Sequence, residues 1–478
     1  MGGCAFIVYD YIDMKKHITF ISTLVSTLLF TSLSYADLNL ELPDLNLPDL
    51  GGQANVSFNS ASEREHGLAI LRRLRSSGQI IEDPELNTWI RSLGNQLTSN
   101  APQSATPFYF VIARDTSVNA FATIGGVVVV NAGLILRSDS ESELAAVMAH
   151  EIAHITQRHI IRMIRKAEGS KFATGAAILA GIIASSKSAE AGSAIINATL
   201  AASAHRQLSF SRDAESEADR VGLRILARSG FDPKGMPFFL AKLELFSDGQ
   251  NANAREYLRS HPLTLKRVSD VRTRAKRIRF NGRKQSSNYF YMREKVRALS
   301  RSTKPVPDKV PANVKKYAKA LQLSLRNNNR LALQTIGSKS RIVPEAILIG
   351  KLLNKERRYK ESIVLLKPLL DIYLGNEALS VLLSEAYISV GQRDNAWRTL
   401  KAINVSEQTS LELFEVKQQI ARNTRHDGEA YRAAAERNIR MGNYKAAISL
   451  LRQAIKSPSS DANQLLQMQS LLSRIERK

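Results

Sequence analysis

Apolar residues between positions 63 and 97 recur at helical spacing, interrupted by Gly78 and by the turn pair Asp83-Pro84, so two helices are expected there. The period then changes. Positions 108–113 form a short apolar and aromatic run, and Val127, Val128, Val129 and Val130 form another behind Gly125-Gly126, which predicts two β-strands. Following two glycines, the valine strand can present an open edge on which an extended substrate adds as a further strand; an internal sheet position is the alternative. Ser140 followed by Glu143 makes a capping box ahead of Leu144, Val147 and Met148, so a helix starts there and runs on past position 150. Positions 172–185 and 191–202 are two arms rich in Ala, Ile and Gly. Each is too short to span a bilayer, so 172–202 reads as a helical hairpin that is buried or lid-like, or that leans on a membrane. A second amphipathic helix is expected from Glu215 to beyond Leu226.

The last third has helical periodicity throughout and repeats itself. Segments 356–363, 390–397 and 441–448 align, and the offset from Arg357 to Gly391 is 34 residues, the tetratricopeptide period. From Gly391 to Gly442 it is 51, one and a half units, which makes the array irregular between Asn404 and Asp427. In each unit a turn follows one helix and a small residue near the start of the next lets it pack closely. Stacked pairs of this kind present a concave surface for extended peptides or partner proteins; an ordinary helical bundle is the alternative.

At 478 residues the chain is too long for one ordinary core. The patterning divides it into a signal region 1–36, an extended Pro/Leu/Asp-rich linker 37–60, a mixed helix-and-strand domain 61–283 and a repeat region 284–478. Lys15, Lys16 and His17, the apolar stretch 18–30 and Ser34-Tyr35-Ala36 are the three parts of an export signal, with cleavage expected after Ala36. That block begins at Met14, the expected true start. The only cysteine, Cys4, precedes it, so a disulfide, a thiol nucleophile and a cysteine zinc site are all excluded from the mature chain. Lys and Arg outnumber Asp and Glu by 67 to 44, a formal charge of +23. The basic residues are dispersed and no nucleic-acid motif is present, so nucleic acid is not an expected partner. Peripheral association with an anionic membrane surface, acidic protein partners or a solvated basic surface fit the charge.

The chemistry centres on His150-Glu151-Ile152-Ala153-His154. On a helix, residues four apart share a face, so both imidazoles can reach one Zn²⁺, and Glu151 lies beside them as general base for water. A metal lowers the pKa of a water towards about 7, and no covalent intermediate is needed to hydrolyse a peptide. A catalytic zinc takes a third protein ligand and keeps one position open. His159 is a candidate, although it points away from the metal if the helix continues. Glu215 and Asp219 are another: four apart on the second helix, they supply a carboxylate ligand followed one turn later by an acceptor for a ligand histidine. Glu217 falls off that face and reads as a solvated charge.

Asn119 to Ala122, Gly125-Gly126, the His150 motif, Glu215 to Asp219, and His261-Pro262-Leu263 with Arg267 together resemble the HtpX-like and CAAX-protease-like gluzincin family. With the export signal and the repeats, the likeness is to the periplasmic branch of that family and covers nearly the whole mature chain. It implies an α+β, mainly α fold: a gluzincin metallopeptidase domain with a small sheet beside the metal-binding helix, then an all-α tetratricopeptide-repeat solenoid. It also implies one Zn²⁺ per chain held by His150, His154 and Glu215, with Asp219 steadying a ligand histidine and Arg267 in support. His261 comes to the metal only through this resemblance, as a gate on the open position or as an oxyanion group; a helix cap is the alternative reading. The implied activity is a zinc metalloendopeptidase that degrades misassembled or unfolded outer-membrane β-barrel proteins and assists their assembly with the assembly machinery. A chaperone-like binding module with tightly gated proteolysis is the alternative.

Overall fold

The computed structural model of the chain describes residues 60–168, 211–248, 257–280, 282, 286–302, 305–307 and 309–477. The expected signal region, the linker up to residue 59 and the 172–202 hairpin lie outside the described residues. Phe58–Lys478 form one compact unit. The architecture is mainly helical with one small sheet, and among the described residues no helix is long and apolar enough to cross a membrane.

Two helices open the unit, α1 (Ser60–Ser76) and α2 (Pro84–Thr98). The break falls where the sequence placed it, because Asp83 caps α2 by accepting from the Glu85 and Leu86 backbone N–H groups and Pro84 occupies the first turn. The strands β1 (Tyr109–Ala113), β2 (Ala120–Ala122) and β3 (Val127–Asn131) form a sheet ordered β1-β3-β2. β3 pairs in parallel with β1, Tyr109 opposite Val127, and antiparallel with β2, Phe121 opposite Val129.

Both sides of β3 are therefore taken, which corrects the expectation that Val127, Val128, Val129 and Val130 form an open edge. A strand apolar on both faces reads alike in sequence whether central or peripheral. The outer side of β1 is covered as well. Gln408 Oε1 accepts from Phe110 N at 2.7 Å, and Ile81 N donates to Ile112 O at 2.9 Å. β2 remains as the sheet's other outer strand.

The helices α3 (Ala132–Arg137), α4 (Glu141–Thr156), α5 (His159–Glu168), α6 (Arg212–Arg228), α7 (Gly235–Asp248), α8 (Leu265–Arg277) and α9 (Ser287–Leu299) follow. α4 starts at the predicted cap: Ser140 Oγ accepts from Glu143 N at 3.2 Å. The reciprocal half of the box is displaced by one residue, since Glu143 Oε2 accepts from Asp139 N. Every residue from Glu143 to His154 is buried, so α4 runs through the core of the N-terminal half.

α6 packs directly on α4 because Gly222 leaves room for it. A Cβ at 222 would lie 3.1 Å from the His150 backbone. Glycine costs a helix interior about 1 kcal/mol relative to alanine, and here that cost secures the close approach which carries Glu215 and Asp219 to His150. Gly222→Val is expected to force the helices apart and lower stability by about 1–3 kcal/mol. Chemical denaturation is the check, and a midpoint at or above that of the wild type would show that α6 is not held this tightly.

The remaining helices are α10 (Ala312–Leu325), α11 (Asn329–Ile336), α12 (Val343–Lys355), α13 (Tyr359–Ile372), α14 (Glu377–Ser389), α15 (Arg393–Lys401), α16 (Leu411–Asn423), α17 (Asp427–Arg440), α18 (Tyr444–Lys456) and α19 (Ala462–Glu476). Five of the turns share one geometry: Asn327, Arg357, Gly391, Arg425 and Gly442 all have φ between 59° and 81°. In each, the next residue's N–H reaches back five positions, as from Arg358 to Leu353 O and from His426 to Ala421 O, both at 2.8 Å. This is the Schellman closure. The aligned small residues Ser362, Ala396 and Ala447 are fully buried.

The 51-residue offset now has a physical form. Arg425 lies 34 residues after Gly391 and 17 before Gly442, so α17 ends one pair and begins the next. The C-terminal helices are tied to the N-terminal half through Gln408 on β1 and through Glu377, which accepts from Arg91 Nη2 at 3.2 Å and from Ser410 N at 3.1 Å.

Candidate metal centre

The last turns of α4 present His150 and His154 side by side, and the first turns of α6 bring Glu215 and Asp219 against them. His261 arrives from the segment before α8, its N–H bonded to Tyr257 O at 2.8 Å and its ring 4.6 Å from that of Tyr257. One nitrogen or oxygen each from His150, His154, Glu215 and His261, all buried, lies within 4.8 Å of the others. His150 Nε2 is 3.0 Å from His154 Nε2, 3.4 Å from His261 Nδ1 and 3.6 Å from Glu215 Oε2. Glu215 Oε1 is 3.4 Å from His154 Nε2 and 3.0 Å from His261 Nδ1. Donors bound tetrahedrally at about 2.0–2.1 Å are about 3.3–3.4 Å from one another. These five separations, 3.0–3.6 Å, bracket that value.

Charge and hydrogen bonding agree with that fit. Glu151, Glu215 and Asp219 are buried carboxylates, and the guanidinium of Arg267 is the cation among them. Arg267 binds Asp219 twice, Nε to Oδ2 at 2.7 Å and Nη2 to Oδ1 at 2.9 Å, donates to Pro262 O, and places Nη1 2.6 Å from Glu215 Oε2. That last contact is an ion pair without hydrogen-bond geometry, and neither Glu215 Oε2 nor Glu151 Oε1 receives a hydrogen bond. With the histidines neutral, as metal ligands are, three ionised carboxylates against one guanidinium leave two negative charges, which a divalent cation balances; uncompensated burial is costly. The donor set of imidazole and carboxylate suits zinc.

The protein groups alone hold strongly displaced protons. Burial works against the His150 imidazolium, yet the bonds to Asp219 and Glu215 outweigh it and lift the ring to about 10. Burial dominates at His154 and takes it well below the usual histidine range. At Glu215 burial is overcome by His261, His150 and His154, and the carboxyl is held low. Burial pushes Glu151 up, the direction required of a group that takes and returns a proton near neutrality.

Glu151 is oriented by the sheet. Thr123 N bonds to Val127 O and Asn131 N to Asn119 O, so the alternation of an antiparallel pair turns the N–H and C=O groups of Ala120 and Ala122 away from β3. The Ala122 N–H meets Glu151 Oε2 at 3.0 Å, while Glu151 Oε1 lies 3.5 Å from His261 Nε2. The outward side of β2 thus borders the cluster.

Each anticipated side chain except the four valines is brought to this centre: His150, Glu151, His154, Glu215, Asp219, His261 and Arg267. Two expectations change. His159 does not follow from a continuing helix, because α4 ends at Thr156 and Arg158 takes φ 55°, which lays the His159 ring against His154. Glu217 is more than a solvated charge, since it contacts His159 at 3.1 Å and Arg162 at 2.8 Å. No glycine marks the turn, so nothing in the pattern foretold it. The Ala122 contact was unreadable for a similar reason: Ala-Phe-Ala carries little strand signal.

Comparison with known proteins agrees with this chemistry. The family profile described as Peptidase family M48 matches residues 84–275. The beta-barrel assembly-enhancing protease of Escherichia coli is 32% identical over 423 residues, spanning 85% of this chain and 86% of that protein. The putative beta-barrel assembly-enhancing protease of Vibrio cholerae is 42% identical over 234 residues, 48% of each chain. The mitochondrial metalloendopeptidase OMA1 of Schizosaccharomyces pombe is 31% identical over 162 residues, 34% of this chain and 44% of that one.

Proposed function

This chain belongs to Peptidase family M48, among the beta-barrel assembly-enhancing proteases, and on that premise we propose a periplasmic zinc endopeptidase acting on unfolded or misassembled outer-membrane β-barrel proteins. It is a metallopeptidase; the zinc, the compartment and the substrate class are the proposal. The observation that carries it is the convergence of His150, His154 and Glu215 beside a carboxylate, Glu151, whose one oxygen is anchored and whose other receives no hydrogen bond.

In this reading His150, His154 and Glu215 hold one zinc per chain. Zinc, when bound, supplies a Lewis acid that makes a water acidic near neutral pH and polarises the scissile carbonyl. Glu151, steadied by Ala122 N–H, takes a proton from the attacking water through its other oxygen. The water oxygen bonds to the carbonyl carbon, the C–N bond breaks, and Glu151 returns the proton to the departing amine. Asp219, locked by Arg267, aims His150. The outward carbonyl of Ala122, whose N–H is already taken by Glu151, offers a substrate backbone a place to pair on the outer strand, a mode that reads extended, unfolded chain and little sequence. Export by the N-terminal signal delivers the enzyme. Residues 61–283 do the chemistry and 284–478, as tetratricopeptide repeats, engage the β-barrel proteins and their assembly machinery.

His261 gives specific weight to a restrained version. Its Nδ1 lies where a fourth ligand would and its Nε2 faces Glu151, so it closes the open position until substrate displaces it. His261→Ala is therefore expected to cleave an unfolded outer-membrane β-barrel protein several-fold faster than wild type while leaving the folded barrel intact. Unchanged or abolished cleavage rules out the gate. A zinc-loaded protein that cuts in neither form, yet raises the yield of folded barrel, would establish the chaperone reading instead.

A further inference from the structure

We propose that His159 and Glu217 form a positioning relay that fixes the tautomer of His154 and aims its Nε2 at the metal; the proposal rests on the metal-centre reading above. It begins where α4 stops. Arg158, in the left-handed region and ion-paired with Glu63, swings the chain so that His159 opens α5 beside His154. The ring centroids are 4.8 Å apart at 75°, and the two Nδ1 atoms are 2.8 Å apart. Two nitrogens at that distance share one proton, so one donates and the other accepts.

The far end decides which. His159 Nε2 lies 3.1 Å from Glu217 Oε2, and that same oxygen accepts from Arg162 Nη2 at 2.8 Å. An ionised carboxylate only accepts, so His159 carries its proton on Nε2 and offers a bare Nδ1. His154 must then carry its proton on Nδ1. Its Nε2 lone pair is left facing His150 and Glu215. The second nitrogen of a ligand histidine is commonly occupied in this way, which fixes the ring and raises its basicity.

The other ligand histidine has the same arrangement one member shorter: His150 Nδ1 is 3.1 Å from Asp219 Oδ1, and Arg267 clamps Asp219. In both arms an arginine holds a carboxylate and the carboxylate sets a histidine. They differ in exposure. Asp219 and Arg267 are each 3% exposed, whereas Glu217 is 33% and Arg162 55% exposed. The Glu217 arm reaches the surface, where it can be altered without opening the core.

The test is zinc affinity of the full chain, measured by competition with a chromophoric chelator, for wild type, His159→Phe, His159→Asn and Glu217→Ala. His159→Phe keeps the ring without an acceptor and is expected to bind zinc about 10- to 100-fold more weakly. In His159→Asn the amide oxygen stands where Nδ1 was, so affinity and the visible spectrum of the cobalt form should stay close to wild type. Glu217→Ala should fall between. Equal losses in His159→Phe and His159→Asn would reduce His159 to packing and overturn the relay. So would wild-type affinity in Glu217→Ala, a surface change that leaves the fold in place even where His159→Phe does not. A wild type that binds no zinc overturns the metal-centre reading itself, a result separate from any ranking of the variants.

Discussion

Glu151→Gln is expected to bind zinc as the wild type does and to hydrolyse peptides about 10²- to 10⁴-fold more slowly. The substitution preserves shape, and the amide oxygen can still accept from Ala122 N–H, the bond that orients the side chain at 3.0 Å. What disappears is the ability to take a proton from water and return it to the amine. Stability should not suffer. Burial already pushes the Glu151 carboxyl up, so the charged form is held at a cost that the neutral amide does not carry. Cleavage of an unfolded chain and metal content are read on the same sample. A variant that cuts within tenfold of wild type removes Glu151 as the base, and one that loses its zinc makes it a ligand. The same variant separates the roles of the two halves: full support of β-barrel assembly by Glu151→Gln would mean that binding, not hydrolysis, carries the biological function.

The parts of the site that the sequence revealed are those set by local periodicity. His150 and His154 share a face because four residues are just over one helical turn, and Glu215 and Asp219 share one for the same reason. Ser140 announces the start of α4 by its chemistry. The parts it concealed depend on pairing across the chain. Whether β3 lies inside the sheet depends on β2, three residues of weak strand propensity, and on β1, whose outer side is covered by Gln408 some 298 positions away. Burial on both faces is legible in four valines; the neighbour is not.

Turns divide along the same line. Gly391 and Gly442 mark left-handed positions that glycine adopts freely, and the repeat was found through them. Asn327 and Arg425 adopt the same φ without that marker, so the unit closing at Arg425 passed for an irregularity. Arg158 is the consequential instance. A left-handed arginine ends the metal-binding helix and turns His159 from an outward residue into the neighbour of His154.

Glu215→Gln is expected to abolish stoichiometric zinc binding and, with it, cleavage. The wild-type carboxylate sits within 3.6 Å of both ligand histidines and carries one of the negative charges that Arg267 only partly balances. An amide of the same shape is a far poorer donor to a divalent cation and removes that charge, so the loss should exceed the roughly 10- to 100-fold that accompanies removal of an outer hydrogen-bond partner. Thermal unfolding separates this from damage to the fold. A ligand that binds only the native state stabilises it, by about 4 kcal/mol at a thousand times its dissociation constant. Wild type should therefore melt lower after chelation and recover with added zinc. The variant, which loses the ion pair with Arg267 and the histidine contacts that hold the carboxyl low, should melt at or below chelated wild type and not respond to zinc at all. Undiminished zinc content in Glu215→Gln would move the third ligand elsewhere, and His261, 3.0 Å from the same carboxylate, is the donor then left in reach.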